Sequence, residues 1–377
     1  MRIGNISAVM RKEFLHLVRD VRSLILAFAI PLLLILLFGY ALSLDVDDVR
    51  TVVVDFDRTH ASRDFVVSLD ASPYFRVSGN LKNAREAGEN LDEGRAALAV
   101  IIPPGFSDGL RSERLTPIQV ILDGSDPNFA NISRGYISAF VDRYNRNLLA
   151  GFLDRNGMQP VKPPVDARIR VWFNEDLESR KFIVPGIIAI IIMIAGAILT
   201  SLVIAREFES GTMETIKSLP ISALEFILGK AIPYYFIALI DVLISVLIGQ
   251  ILFGVVMKGS FLVMILASSL YIMVALALGL FISSAVKSQL VANQGAILIT
   301  YLPSFLLSNF VFPINNMPFA LQLVTYVVPA RYYIDILSGI YLKDLGFAYL
   351  WHDFAVLAAM FVVLALLNVR ILRKEGL

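Results

Sequence analysis

The chain of 377 residues contains no cysteine, so it can form neither a disulfide bond nor a zinc site with thiolate ligands, and it offers no thiol nucleophile. Its three histidines, His16, His60 and His352, are scattered and form no metal-ligand pattern. No segment has the spacing G-x-x-x-x-G-K-[ST], which excludes a P-loop for nucleotide phosphates. The net charge of +1 gives no reason to expect nucleic acid as a partner.

Charged residues are scarce, at 17% of the chain, whereas 57% of the residues are hydrophobic. Soluble domains average about 25% charged and about 45–50% apolar residues. The excess predicts a polytopic α-helical membrane protein. Because about 20 apolar residues cross a bilayer, the long apolar runs predict six transmembrane helices. They are expected at residues 23–44, 182–204, 226–257, 259–286, 290–312 and 348–371.

Three segments outside these runs are predicted to lie at or near the membrane surface. Residues 1–22 are basic and carry apolar side chains at helical spacing, which predicts an amphipathic helix along the membrane surface. Residues 313–347 are mostly apolar but are interrupted by Pro329, so they are expected to form a re-entrant pair of short helices in the outer leaflet. Residues 372–377 form a short tail.

Residues 45–181 differ in kind, because they hold 39 of the 65 charged side chains. Alternating strand and helix patterns there predict an extracytoplasmic α/β domain between the first two spans. Strands are expected at 51–56, 74–77, 97–102, 118–122 and 168–173, and helices at 60–69, 83–92 and 128–153. Asp55, Asp57 and Asp123 follow strands, but without a motif they are interpreted as turn residues rather than a metal or catalytic cluster.

A polar loop, residues 205–225, separates the second and third apolar runs. Its Ser210-Gly211 pair predicts a turn, since glycine tolerates positive φ, and Pro220 ends the helical turns expected at 212–219. The apolar side chains Met213, Ile216 and Leu219 would then share one face, which suits docking into a groove of a partner protein. An ordinary connecting loop would satisfy the same pattern.

The charge of the short loops predicts the orientation. Six spans place both termini and the polar loop on one side, where the short segments hold eleven lysines and arginines. The short loops of the other side hold three, namely Lys258, Arg331 and Lys343. Positive residues favour the cytosolic side, so both termini and the polar loop are expected in the cytosol, with the α/β domain outside.

The polar loop reads A-R-E-F-E-S-G-T-M-E-T-I from Ala205 to Ile216, which resembles the signature of ABC-2 type transporter permeases. Further resemblance comes from Ile30-Pro31 and Phe38-Gly39-Tyr40 in the first span, Asp123-Gly-Ser-Asp-Pro-Asn128 in the charged segment and Pro329-Ala-Arg-Tyr332 before the last span. Together they resemble the drug-efflux-type branch, which carries a large periplasmic domain between spans one and two. The resemblance covers nearly the whole chain.

The resemblance implies that the loop is a coupling helix that docks on a separate ATPase subunit. That subunit would bind ATP and Mg, and this chain would bind no cofactor and would not itself be an enzyme. The resemblance also implies a second permease copy or paralogue, a periplasmic adaptor protein, location in the bacterial inner membrane, and export of drugs or other amphipathic molecules. The match assigns coupling to Glu207, Glu209, Gly211, Thr212 and Glu214, and the loop's charge and apolar face add Arg206, Met213, Ile216 and Leu219.

The translocation path is sought among polar residues and breaks in the apolar runs. Asp241 is an acid within a predicted span, where it could line a path, make a structural hydrogen bond or join two subunits. The candidates are Asp241, Asn293, Gln294, Asn309, Pro329 and Arg331. Alternative functions are export of lipids or polysaccharides by the same architecture, and a membrane sensor with an outer ligand-binding domain. An ion-driven transporter would need more intramembrane ionisable groups than Asp241.

Overall fold

The computed structural model describes residues 2–19, 21–41, 48–112, 116–157, 172–174 and 178–377, apart from the side chains at 21–24, 26, 27, 30, 41, 127 and 128. The chain divides into two compact units. The helical unit comprises Met1–Ser43 and Arg170–Leu377, and the α/β unit comprises Leu44–Ile169. For comparison, the sequence predicts an inserted domain over residues 45–181.

The α/β unit is built on a four-stranded sheet with the strand order β2-β1-β3-β4. Strand β1 is parallel to both β2 and β3, whereas β4 runs antiparallel to β3. Every residue of β3 is buried, as expected for an apolar strand covered by helices on its faces. The elements in chain order are β1 (Val49–Asp55), α3 (His60–Asp70), β2 (Phe75–Leu81), α4 (Ala84–Asp92), β3 (Leu98–Ile102), α5 (Phe106–Arg111), β4 (Gln119–Leu122) and α6 (Pro127–Arg155).

Local signals account for most helix starts in this unit. The side chain of Asn83 accepts a hydrogen bond from the backbone N–H of Glu86, which caps α4. Asp126 accepts one from the N–H of Phe129 at the start of α6. The short helix α5 was not predicted. The strand expected at 168–173 lies outside the described residues except for Trp172 and Phe173, which are not in a strand.

The helical unit begins with two helices before the insertion and continues with nine after it, counted over the described residues. These are α1 (Ile3–Arg19), α2 (Val21–Ala41), α7 (Arg180–Glu209), α8 (Thr212–Lys217), α9 (Ala223–Phe253), α10 (Phe261–Val286), α11 (Gln289–Ala296), α12 (Leu302–Leu306), α13 (Phe319–Thr325), α14 (Pro329–Lys343) and α15 (Phe347–Lys374). A π-helical turn (Ile297–Tyr301) joins α11 to α12, and a 3₁₀ turn (Ile314–Asn316) precedes α13.

Four helices of the described chain are long and apolar enough to cross a membrane, namely α7, α9, α10 and α15. The expected span at 23–44 corresponds to α2. Within it, Pro31–Tyr40 is an apolar helical stretch that is shorter than a membrane span. The expected span at 290–312 is not one regular helix, because the π turn interrupts it and α12 ends at Leu306. The count of six spans therefore stays a prediction.

Helix α7 lies at the centre of the helical unit, and its residues from Ile183 to Met193 are all buried. It approaches α10 closely at Gly279, where an added Cβ would lie 2.4 Å from the carbonyl oxygen of Ala197. Small residues allow this approach, which is how helices commonly pack in a bilayer without a hydrophobic driving force between them. The segment 313–347, expected to be a re-entrant pair, contains the helices α13 and α14, and their placement in the outer leaflet stays a prediction.

Candidate functional site

The polar loop folds as a tight connection between α7 and α9. Helix α7 continues to Glu209, a turn follows, and the short helix α8 occupies most of the loop. Gly211 has φ of 72°, in the left-handed region that side chains other than glycine rarely adopt. The turn predicted at Ser210-Gly211 is therefore confirmed. Ser222 then caps α9 in a reciprocal capping box with Glu225.

Glu207 is the most connected residue of the loop. It is only 5% exposed, and one carboxylate oxygen accepts hydrogen bonds from the ammonium groups of Lys12 and Lys230, each at 2.7 Å. Its other oxygen accepts a hydrogen bond from the hydroxyl of Thr212, at the start of α8. One side chain thus joins α1, α9 and α8 to the end of α7.

Two residues of this network were missed in the sequence. Lys230 lies in α9 and is 1% exposed, and its ammonium donates a second hydrogen bond to Glu13 of α1 at 2.5 Å. Lys230 is the only lysine or arginine in the expected span 226–257. A basic residue in an apolar run was a usable signal, because a charge there is costly to bury without a partner.

We call the set Lys12, Glu13, Glu207, Thr212 and Lys230 the charge cluster. Its two buried carboxylates face the buried ammonium of Lys230 and the half-exposed ammonium of Lys12, so the charges of the cluster balance. Arg206, beside Glu207 in sequence, does not belong to the cluster, because its guanidinium contacts the ring of His16 at 3.1 Å instead.

A second junction fixes the start of α1 to the start of α9. The side-chain amide of Asn5 donates to Glu225 at 2.9 Å and to the carbonyl oxygen of Pro220 at 3.0 Å. The backbone N–H of Arg2 also donates to Glu225. Further along, Gly229 of α9 faces Val9, where an added Cβ would be 2.6 Å from the valine Cβ. The predicted amphipathic helix therefore packs lengthwise on α9.

Glu209 makes a third junction, to the helix that follows α10. Its carboxylate accepts hydrogen bonds from the backbone N–H of Gln289 at 2.8 Å and from the Gln289 side-chain amide at 2.6 Å. Gln289 is the first residue of α11. The end of α7 is thus connected directly to the broken helix α11–α12, and both carboxylates of the sequence pair Glu207 and Glu209 have identified partners.

The predicted docking face needs correction. Met213 is 1% exposed and Ile216 is half-buried, and both pack against the core of the helical unit, whereas Leu219 is 47% exposed. The tight turns at both ends hold α8 against its neighbours. Met213 and Ile216 therefore pack on those helices and are not available to a partner protein. The outward surface at α8 includes Glu214 and Thr215 of the helix and Ser218 and Leu219, which directly follow it.

The six candidate path residues do not form one site. Asp241 is 5% exposed, and its Oδ2 has no hydrogen-bond partner among the described residues, as is also true of Oδ1 of Asn293. Gln294 is exposed, and Asn309, at a φ of 69°, accepts a hydrogen bond from the N–H of Ile314. Arg331 stacks 4.2 Å from the ring of Tyr326. Pro329 alone among the six lines the apolar cleft described next.

A large apolar cleft of about 680 Å³ lies between α15, α10, α7, the broken helix α11–α12 and the α13–α14 pair. Its volume is within the range of sites for small molecules, about 300–1,000 Å³. Thr300, Ser304 and His352 supply its polar groups. The other lining residues are Met193, Leu278, Ile299, Pro303, Val324, Val327, Val328, Pro329, Ala355, Val356, Ala359, Met360, Val363 and Leu364.

In the α/β unit the aspartates after the strands serve the chain's own turns. Asp55 accepts hydrogen bonds from the N–H groups of Asp57 and Arg58. The hydroxyl of Thr59 donates to Asp57 at 2.6 Å, which is the main reason that the pKa of Asp57 lies below its usual value. Asp123 accepts from the N–H of Ser125. No three carboxylate or imidazole side chains in the described part of the chain are grouped as metal ligands.

Comparison with known proteins gives a consistent result over most of the chain. A family model described as ABC-2 family transporter protein matches residues 21–370. The probable multidrug ABC transporter permease YbhS of Escherichia coli (strain K12) is 38% identical over 338 residues, which cover 89% of this chain and 88% of the relative. Probable multidrug ABC transporter permease YbhR of the same strain is 31% identical over 92% of each chain. Inner membrane transport permease YhhJ is 28% identical over 84% of each.

Proposed function

The chain belongs to the ABC-2 family of transporter proteins, and on that premise we propose that it is the permease subunit of an ATP-driven exporter of drugs or other amphipathic small molecules. A separate ATPase subunit binds ATP and Mg, and this chain forms the membrane path with a second permease copy or a paralogue. Both termini and α8 face the cytosol, as the excess of positive residues on that side favours. The α/β unit lies outside, where an adaptor protein can reach it.

The observation that carries this proposal is the construction of α8. Its outward face is accessible, while Met213 and the charge cluster hold its inward face against the ends of the long helices. A helix that is accessible on one side and fixed on the other can pass a displacement to what it is fixed to. The outward residues Glu214, Thr215, Ser218 and Leu219 form the surface on which the ATPase docks.

The contacts of the loop define which helices respond to the ATPase. Glu207 connects the displacement to α1 and α9 through Lys12 and Lys230, and Glu209 connects it to α11 through Gln289. Nucleotide-driven closure of the ATPases would therefore move α1, α7, α9 and α11 together. Such a shift would switch the path between two conformations that differ in which side of the membrane it opens to, which is how binding at one site is coupled to a second site.

The substrate class rests on two observations. The cleft of about 680 Å³ is lined almost entirely by apolar side chains, which suits molecules that partition into a membrane. Two relatives are named as probable multidrug ABC transporter permeases. The three hydroxyl and imidazole groups of the cleft, on Thr300, Ser304 and His352, would orient such a molecule by hydrogen bonds.

Co-purification with an ABC ATPase subunit, followed by ATPase assays in lipid with amphipathic drugs, tests the proposal. Thr215→Arg places a bulky cation on the outward face of α8 and should abolish both co-purification and drug-stimulated ATP hydrolysis. Thr215→Ser, which keeps the hydroxyl, serves as the matched control and should behave as the natural chain. Normal assembly and transport in Thr215→Arg would show that the ATPase does not dock on this face.

A further inference from the structure

The α/β unit contains a cleft of about 530 Å³, which shares no lining residue with the cleft proposed for export. It lies between one face of α6 and the segment that joins α3 to β2. Along α6 the lining residues recur at helical spacing, and the segment before β2 forms the opposite wall. The lining residues are Ser68, Ala71, Ser72, Pro73, Tyr74, Tyr136, Ala139, Phe140, Arg143, Tyr144 and Asn147.

The floor of the cleft is aromatic. The rings of Tyr74 and Tyr136 are stacked at 4.3 Å, and Phe140 and Tyr144 lie nearly parallel at 6.1 Å. Phe65 of α3 packs edge-to-face against Phe140 and Tyr144, with ring centroids at 5.5 Å and 5.0 Å. The rings are therefore fixed by packing, which provides a preformed apolar surface for a flat molecule at little entropic cost.

The rim of the cleft is polar and carries a positive charge. Arg143 is the one charged residue of the lining, and its guanidinium forms no ion pair or hydrogen bond within the described chain. The same holds for the side chains of Ser68, Ser72 and Asn147. An arginine beside free hydroxyl and amide groups is the usual arrangement for binding a carboxylate or a similar anion.

We propose that this cleft binds a small amphipathic organic anion, with a flat apolar body on the tyrosine and phenylalanine rings and its anionic group at Arg143. The volume fits a molecule of this size rather than a protein segment. Asp64 is an acidic residue close to the cleft residue Tyr144, and its carboxylate adds to burial in raising the pKa of that phenol. Asp64 does not line the cleft. Its negative charge should repel a bound anion, so removing that charge should strengthen anion binding.

The experiment uses the full chain in lipid nanodiscs and 2-naphthoate as the probe. The natural chain has no cysteine, so Ala139→Cys gives a single reactive thiol in the cleft wall. The anion 2-naphthoate should slow labelling of this variant by a neutral maleimide, and the uncharged 2-naphthamide should not. Ser138→Cys, an exposed neighbour that does not line the cleft, is the control and should label at the same rate with or without the probe.

Charge variants in the Ala139→Cys background then test the role of the arginine. Arg143→Gln should raise the naphthoate concentration needed for half-protection roughly tenfold or more, as expected for loss of a charge-assisted hydrogen bond. Arg146→Gln, the same change at an exposed arginine outside the cleft, should leave it unchanged, and Asp64→Asn should lower it. Absence of protection at Ala139→Cys, equal protection by the amide, or equal effects of the two arginine variants would overturn the proposal.

Discussion

The ammonium group of Lys230 lies 2.7 Å from the carboxylate of Glu207, and the contact joins the first third of α9 to the last turn of α7. Both side chains are almost inaccessible, at 2% and 7% exposure. Burying such a pair costs desolvation that its attraction only partly offsets, so its role is to fix an arrangement rather than to add stability. Glu13 and Lys12 complete the balance of charge.

Lys230→Met should destabilise the helical unit strongly, because it leaves Glu13 and Glu207 buried with too few partners. Breaking a buried ion pair by removing one partner typically costs about 3–5 kcal/mol. Thermal unfolding of the purified chain in detergent measures the loss. Lys217→Met removes an ion pair to the exposed Glu214 and should cost less than about 1 kcal/mol.

A second variant separates the charge effect from a simple failure to fold. The double variant Lys230→Met with Glu13→Gln removes one charge of each sign and should recover part of the lost stability. If the double variant is no more stable than Lys230→Met alone, the buried charges are not coupled and the cluster has no connecting role.

The parts of this fold that the sequence predicts are those decided by neighbouring residues. The turn at Ser210-Gly211 depends on a few adjacent residues, and it is found. The inward turn of Met213 depends instead on which helices surround α8. No local pattern pairs Glu13 with Lys230, because 217 positions separate them and only the packing of α1 on α9 brings them together.

The close approach of α7 and α10 makes Gly279 sensitive to any side chain. A Cβ there would lie 2.1 Å from the hydroxyl oxygen of Thr200 and 2.4 Å from a backbone carbonyl, so the helices must separate. Gly279→Ala should cost about 1–3 kcal/mol, the usual range for overpacking. Gly295→Ala, where the nearest atom is Ile282 Cγ2 at 3.6 Å, should be neutral or slightly stabilising. Equal thermal stability of the two variants would contradict the packing described.

Glu209→Ala should impair coupling without preventing assembly, because it removes the hydrogen bonds to Gln289 but leaves the outward face of α8 intact. Coupling free energies of about 1–3 kcal/mol correspond to roughly 5–150-fold, so transport per ATP hydrolysed should fall at least fivefold. Parallel measurement of ATPase activity and transport in proteoliposomes checks this. Glu375→Ala, which breaks the exposed pair with Lys287, is the control. A proportional loss of both activities in Glu209→Ala would contradict a role in coupling.

The turn after β1 should respond to pH through Asp57. Hydrogen bonds from the Thr59 hydroxyl and the Ser107 N–H lower the pKa of Asp57 below its ordinary 3.8. A lowered folded-state pKa means that the ionised group stabilises the fold fully above about pH 4 and loses that contribution as the pH falls through the folded-state value. Asp57→Asn should therefore speed amide hydrogen exchange in α3 at neutral pH. The difference from the natural chain should disappear in strong acid, and a difference that persists there would have another cause.

The orientation of the chain in the membrane can be tested by cysteine labelling at three positions, which are chosen by the exposure of their side chains. Thr215 is exposed on α8, Met213 beside it is buried, and Ser125 is exposed in the α/β unit. In the natural cysteine-free background, Thr215→Cys should react with a membrane-impermeant thiol reagent only from the cytosolic side of oriented vesicles, and Ser125→Cys only from the other side. Met213→Cys should react slowly from either side, because the helical core covers its side chain. Labelling of Thr215→Cys and Ser125→Cys from the same side would refute the membrane crossing between them, and fast labelling of Met213→Cys would show that α8 does not pack inward as described.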